Sequence, residues 1–270
     1  MQMSNKVHSA EHLDYLRRRR LERISVRGAQ LLIVIGFFLL WEIAASRGWI
    51  NAFIFSQPTK VWSAIVRLAS RGELWRHLGW TVGETVIGFT TGTIAGILLA
   101  ILLWWSPFLS RVMDPYIVVL NSIPKVALGP IFVVWLGTTI TAVVAMAIAV
   151  SVIVAVMMMH TGFQEVDENQ VKLVQTFGAS KGQVLRKVII PASLPTMIAA
   201  LKVNVGLSLV GTIVGEFLAS KAGLGYLIIY GGQVFNMSLV MGSVILLSIV
   251  SVILYYAVTL LEDRVTRGRR

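Results

Sequence analysis

The chain contains no cysteine. Disulfides, thiolate nucleophiles and Cys-based metal centres are therefore excluded, and the redox compartment stays open. Histidine is scarce: His8, His12, His77 and His160 are the only ones. Of these only His8 and His12 have the helical spacing of a ligand pair, and they lie in a polar stretch, so no metal site is expected. Charge is scarce too. Asp, Glu, Lys and Arg make up 14% of the 270 residues, against about 25% in soluble domains. No lysine is followed by Ser or Thr, so the phosphate-cradling P-loop is missing and the chain is not expected to hydrolyse ATP. Acidic residues are outnumbered, 13 to 24 basic, which leaves a formal charge of +11. The basic residues gather at the ends of apolar runs. That pattern points to contact with anionic membrane lipid, and not to nucleic acid.

What the chain does have is apolar length: 56% of it is hydrophobic and the mean hydropathy is +0.77. A spanning helix needs about 20 mostly apolar residues. Six runs qualify: Ala29–Ala45, Gly79–Trp105 around Glu84, Pro115–Leu136 with Pro124, Lys125 and Pro130 inside it, Thr139–Met159, Leu194–Leu218 and Leu239–Leu261. Gly137 and Thr138 alone separate the third and fourth, which predicts a tight helical hairpin. Residues 1–28 are too long for the charged leader of a signal peptide, so the first run reads as an uncleaved span. Residues 58–78 place Val61, Trp62, Ile65, Leu68 and Trp75 at helical spacing among Lys60, Arg67, Arg71 and Arg76, which predicts a helix lying in the membrane interface.

Orientation follows from the basic residues. With the N-terminus inside, cytoplasmic segments hold Arg17–Arg20, Arg111, Lys172, Lys181, Arg186, Lys187 and the C-terminal arginines. External segments hold Arg47, Lys60, Arg67, Arg71, Arg76 and Lys221. The expectation is an all-α integral membrane protein with six transmembrane helices and both termini cytoplasmic. A membrane domain at 29–262 would lie between basic tails at 1–28 and 263–270, with a cytoplasmic loop at 160–191.

That loop is the most informative stretch. Asp167 can cap a helix with Glu168 in its first turn. Val171, Val174 and Phe177 would share a face of that helix, and Gly178 would end it in the left-handed conformation. Ser180, with Ala179 before it, can cap a second short helix bearing Val184, Leu185 and Val188. Pro191 and Pro195 are expected to reset the chain into the fifth span. The product is a helix–Gly–helix knuckle with an apolar face. Such a face either docks on another protein or packs on its own bundle.

The same residues resemble the coupling loop of binding-protein-dependent ABC importer permeases, whose pattern is E-A-A-x3-G-x9-I-x-L-P. Gly178 stands at the glycine and Pro191 at the proline, with Val188 and Ile190 at the apolar positions. Lys172, Leu173 and Val174 replace Glu-Ala-Ala. Phe-Gly-Ala-Ser at 177–180, Val-Gly-Glu-Phe-Leu at 214–218 and Gly-Leu-Gly-Tyr-Leu-Ile at 223–228 resemble the nitrate, sulfonate and taurine branch. The resemblance covers residues 30–262. It implies the type I importer permease fold in a prokaryotic cytoplasmic membrane. It further implies a homodimer with a second copy, two ABC subunits that bind ATP and Mg, and an external solute-binding protein. The chain itself would carry no cofactor. Val171, Val174, Phe177, Gly178, Ala179, Ser180, Val184 and Pro191 are the expected ATPase-coupling residues.

Charge inside a membrane is costly, so each polar group in a span needs a reason. Lys125, with Asn121 and Ser122 one turn before it, can form a polar stripe on a translocation pathway and favour an anion. The alternative is a lysine bonded to a helix-end carbonyl. Asn204 and Ser208 share a face of the fifth span, which lines the pathway in the resembled family. Lys202 can snorkel to the cytoplasmic surface. Glu216 can fix an outer gate or cap the Gly-rich segment after it. An intramembrane enzyme would need paired acid–base or metal groups at one depth, and Glu42, Glu84, Lys125, Lys202 and Glu216 are too sparse for that. A secondary carrier gives no reason for the knuckle. The solute stays open between sulfonate, nitrate or taurine-like anions and heterocyclic vitamin precursors.

Overall fold

A computed structural model describes residues 10–267. The described residues are helical, with no strand among them, and they divide into two compact units that meet between Ser63 and Ala64.

In the first unit, α1 runs unbroken over Ala10–Ser46. The tail expected to end at residue 28 is thus continuous with the first span, and Gly28 is carried inside the helix without a break. His8 lies outside the described residues, as does the side chain of His12, so the His8–His12 pair is not placed. The apolar side chains from Leu31 to Leu40 stand exposed, as lipid-facing groups do. After Gly48, at φ +73°, the chain turns into α2 (Ala52–Phe55), capped by Asn51. The carboxylate of Glu42 accepts from the Thr59 backbone N–H at 3.0 Å and from its hydroxyl at 2.9 Å, which fixes the start of α3 (Pro58–Ser70).

The helix expected over 58–78 stops at Ser70. Gly72 takes φ +74°, and a new helix, α4, runs over Glu73–Trp105. Leu74, Trp75 and Leu78 therefore belong to the second span, which begins six residues before Gly79.

The core of the second unit is α4, α7 (Ile140–Gln164) and α10 (Ile190–Ala219). Small residues set its geometry. Gly88, Gly92 and Gly96 of α4 lie against Ala147, Ser151 and Ala155 of α7, so a methyl at any of the three would overlap its neighbour. The constant offset makes the two helices parallel and in register. Antiparallel α10 closes on the same stretch, where a methyl at Gly211 would come 2.6 Å from Cα of Ala147 and one at Gly215 2.8 Å from Cα of Val143. Such approach lets backbones pack where lipid offers no hydrophobic drive between helices.

The third span differs from expectation. Pro115–Leu136 is not one helix but α5 (Pro107–Ser122), a 3-10 turn at Lys125–Leu128 and α6 (Gly129–Leu136), bent by 86°. Pro124 causes the break: it forces Ile123 to extended backbone, ψ 131°.

The fourth span extends to Gln164, so the loop proper begins at Glu165 and not at residue 160. Its short helices are α8 (Glu168–Thr176) and α9 (Lys181–Val184). The fifth span also differs. Pro191 does not reset the chain: α9 passes through a π-helical turn at Leu185–Ile189 straight into α10, and the Ile190 N–H bonds the Leu185 carbonyl. A widened turn accommodates a residue that has no N–H to give. After α11 (Leu224–Gln233), the last helix, α12, covers Met237–Arg267 and so continues through the expected tail boundary at residue 262. Five described helices are long and apolar enough to cross a membrane, or six if bent α5–α6 counts as one span.

Candidate functional site

The knuckle between α7 and α10 forms as its sequence signals direct. Asp167 accepts from the Asn169 N–H at 2.8 Å and opens α8. Gly178 takes φ +80°. Ser180 and Gln183 form a reciprocal capping box at the start of α9, Ser180 N–H donating to Gln183 Oε1 at 2.8 Å. Glu168 and Lys172 pair at 2.9 Å along α8, and that contact holds the Glu168 carboxyl below its usual range.

The two faces of α8 are not alike. Val171, Val174 and Ala179 pack inward on a cluster that includes Ala100, Met159, Phe163, Val184 and Ile189. Phe177 is 82% exposed and Leu173 59% exposed. The expectation that Val171, Val174 and Phe177 share one face is corrected for Phe177, while the two valines pack on the bundle, the alternative left open for that face. Phe177 lies past the last α8 residue, in the turn before Gly178, and is absent from the cluster that holds both valines. Val184 is buried and cannot meet a partner, and Pro191 sits inside a continuous helix. The outward apolar groups are Leu173, which had not been singled out, and Phe177.

A second link was also hidden in the sequence. Lys181 Nζ donates to the carbonyl of Trp105 at 2.5 Å and lies 5.8 Å and 5.5 Å from the Trp104 and Trp105 ring centroids. It therefore caps the C-terminus of α4, where a cation suits the helix dipole, and adds a cation–π contact. Its partner is distant in sequence, so local pattern gives no signal. Nearby, His160 Nε2 lies 2.9 Å from Ser110 Oγ and 3.0 Å from Gln164 Nε2, tying α5 to α7.

The polar residues of the spans differ in burial: Asn121 and Lys125 are half-buried and Ser122 exposed, while Asn204 and Ser208 are buried. Lys125 Nζ donates to the Asn121 carbonyl at 2.8 Å and to Asn121 Oδ1 at 3.3 Å, and Ser122 Oγ donates to the Val118 carbonyl. Lysine and asparagine thus close the end of α5 at the Pro124 break, the alternative weighed for this residue. Asn204 and Ser208 are buried within the second unit and line no open surface. Asn204 Nδ2 donates to Thr93 Oγ1 of α4 at 2.7 Å. The α10 face carrying them is the one packed into the core. Lys202 pairs with Glu262 of α12 at 2.5 Å, with both side chains partly exposed.

Glu216 organises the opposite end of the unit, termed here the far side. Its Oε1 accepts from Thr81 Oγ1 at 2.7 Å, and its Oε2 from the Gly225 N–H at 2.5 Å. Thr81 Oγ1 accepts in turn from the Leu224 N–H at 2.8 Å, and His77 Nδ1 from the Gly223 N–H at 3.0 Å. Three successive backbone donors at the start of α11 are therefore held by α4 and α10. Gly223 and Gly225 are required, since any Cβ there would meet the Glu216 carboxylate. Glu84, buried at 1% exposure, abuts Glu216. Glu84, Thr81 and His77 had no assigned role in the sequence. Their signal, polar residues at helical spacing on α4, is legible only once α11 is seen against them.

The profile of the family described as "binding-protein-dependent transport system inner membrane component" matches residues 92–270. A probable ABC transporter permease of Haemophilus influenzae is 28% identical over 242 residues, 89% of this chain and 98% of that one. The formylaminopyrimidine transport permease ThiX of Halalkalibacterium halodurans is 28% identical, covering 86% and 92%. The putative aliphatic sulfonates transport permease SsuC of Escherichia coli is 26% identical, covering 88% and 90%. Among solved structures, the inward-facing MetNI methionine ABC transporter superposes with a TM-score of 0.64 at 20% identity, over 74% of this chain and 97% of that one. A bacterial ABC importer of alginate gives 0.64 at 16%, over 92% and 98%. At those identities the superpositions speak for the fold alone.

Proposed function

The chain belongs to the binding-protein-dependent inner-membrane components of ABC importers, and from that premise we propose that it forms the translocation pathway for a small anionic solute, driven by a separate ATPase that grips the knuckle around Gly178. The observation that carries this reading is the division of the knuckle into two faces. One is anchored to the bundle through Val171, Val174 and Val184, and the other presents Leu173 and Phe177 outward. An exposed leucine on a capped helix, with an exposed aromatic in the turn that follows it, suits a docking element. Force applied there reaches the core helices by two routes: through the π-turn directly into α10, and through Lys181 into the end of α4. Movement of rigid helical bodies would then alternate access to the pathway.

The working assembly in this reading is a homodimer with two ABC subunits, which bind ATP and Mg, and an extracytoplasmic solute-binding protein, in a prokaryotic cytoplasmic membrane with both termini inside. The solute is of the sulfonate, nitrate or taurine kind. Its support is the likeness to permeases named for aliphatic sulfonates and taurine, since Lys125 is engaged in a helix cap. A second reading, a heterocyclic vitamin precursor, is favoured by equal likeness to permeases named for formylaminopyrimidine and riboflavin. Both are tested by reconstituting the chain with its ATPase and binding protein and measuring ATP-driven uptake. Uptake of taurine or an alkanesulfonate, lost in Leu173→Ser with Phe177→Ser while the chain still folds, is the expected result. ATPase capture unaffected by those changes would refute the docking role, and uptake of a pyrimidine or flavin alone would replace the anion.

A further inference from the structure

On the far side of the second unit, α3, the start of α4, α11 and the start of α12 enclose a pocket of about 390 Å³. That size lies within the range of small-molecule sites. Arg67 and Arg71 line it one helical turn apart, against a single carboxylate, Glu73. His77 lines it as well, and because its Nδ1 accepts from the Gly223 N–H, its Nε2 carries a proton and is a donor. The other wall is a stack of rings. His77 and Tyr226 lie 6.0 Å apart with an interplanar angle of 11°, and Tyr226 and Tyr230 5.9 Å apart at 18°. The imidazole is thus locked from behind by the backbone of α11 and in front by a tyrosine. The pocket presents two guanidinium groups and an N–H donor beside an aromatic face.

We propose that this pocket binds a monoanionic oxyanion, a phosphodiester or sulfonate, with its organic body against Tyr226 and Tyr230. Guanidinium forks match the oxygens of such groups, and the rings match the carbon skeleton. The placement suits a membrane-surface ligand. At 1.5 Å per residue the 33 residues of α4 reach roughly 50 Å, well beyond a hydrocarbon core of about 30 Å. Its Trp104–Trp105 end lies at the knuckle, so its first two turns, which carry Glu73 and His77, stand in the headgroup layer on the other side. The inference is independent of which solute the chain transports.

The anion can come from a lipid headgroup or from solution, and two arms separate these. In the first, the full chain is extracted from nanodiscs of phosphatidylcholine doped with phosphatidylglycerol, and retained lipid is read by native mass spectrometry. In the second, ethanesulfonate is titrated calorimetrically into the chain in phosphatidylcholine alone. Retention of phosphatidylglycerol about tenfold above its share, falling to parity in Arg67→Gln with Arg71→Gln and kept with lysine at both positions, supports the lipid source. Ethanesulfonate binding with the same arginine dependence supports the free anion. No selectivity in either arm, or selectivity indifferent to both arginines, overturns the proposal. Should the glutamine variant not fold, absence of both bindings in the native chain overturns it, and selectivity lost in Tyr226→Ala sustains it.

Discussion

Gly178 sits at φ +80° with nothing within 4 Å of where a Cβ would stand. Its requirement is therefore conformational and not steric. Gly178→Val puts a β-branched residue in the left-handed region, at about 1–2 kcal/mol of local strain. The bundle should keep its unfolding temperature while ATP-driven uptake falls severalfold; uptake unchanged at equal protein level would count against a coupling role for this turn. Lys181→Met keeps the stem but loses the bond to the Trp105 carbonyl and the charge over both rings. Hydrolysis by the bound ATPase should persist while uptake declines, a split measured by assaying both in one preparation. Glu216 is a different case, because it is buried. Glu216→Ala strands the Gly225 N–H and the Thr81 hydroxyl, each at about 1–3 kcal/mol. A clear fall in the unfolding temperature is expected, with a smaller one for Glu216→Gln, which keeps one acceptor.

At the scale of the element, the α4–α7 contact depends on residues with no side chain to spare. Gly92→Ala would drive a methyl into Ser151 Oγ, and overpacking of this kind costs roughly 1–3 kcal/mol. Adding Ser151→Gly should restore part of the loss, a positive coupling read by a double-mutant cycle of thermal unfolding. Gly206→Ala, with open space around it inside α10, should instead stabilise by about 0.4–1 kcal/mol. The broken third span and the unbroken fifth have a common lesson. Both contain proline, yet Pro124 ends a helix while Pro191 is absorbed by a π-turn. The presence of proline alone does not distinguish the two.

For the molecule as a whole, the absence of native cysteine makes topology directly testable. Gln175→Cys on the knuckle should react with an impermeant maleimide only from the cytoplasmic side, and Lys221→Cys only from the outside. Both reacting from one side would refute the proposed orientation. Reconstituted without its ATPase, the chain should drive no concentrative uptake, and ATP added to it alone should not change that.

Apolar run length, the lack of a P-loop and the Asp167–Gly178–Ser180 signals each rest on residues near one another, and the sequence by itself determined them: an all-helical membrane component with a capped knuckle. It also held the family's pattern around Gly178 and Pro191. Only the tertiary structure decided which face of α8 points outward, that Asn204 and Ser208 are core residues, that Lys181 reaches Trp105, and that Glu216 secures α11. In a bilayer the solvent on the lipid-facing surface is as apolar as the protein interior. Hydrophobic periodicity then no longer separates inside from outside, and contacts between distant helices set the fate of each polar group.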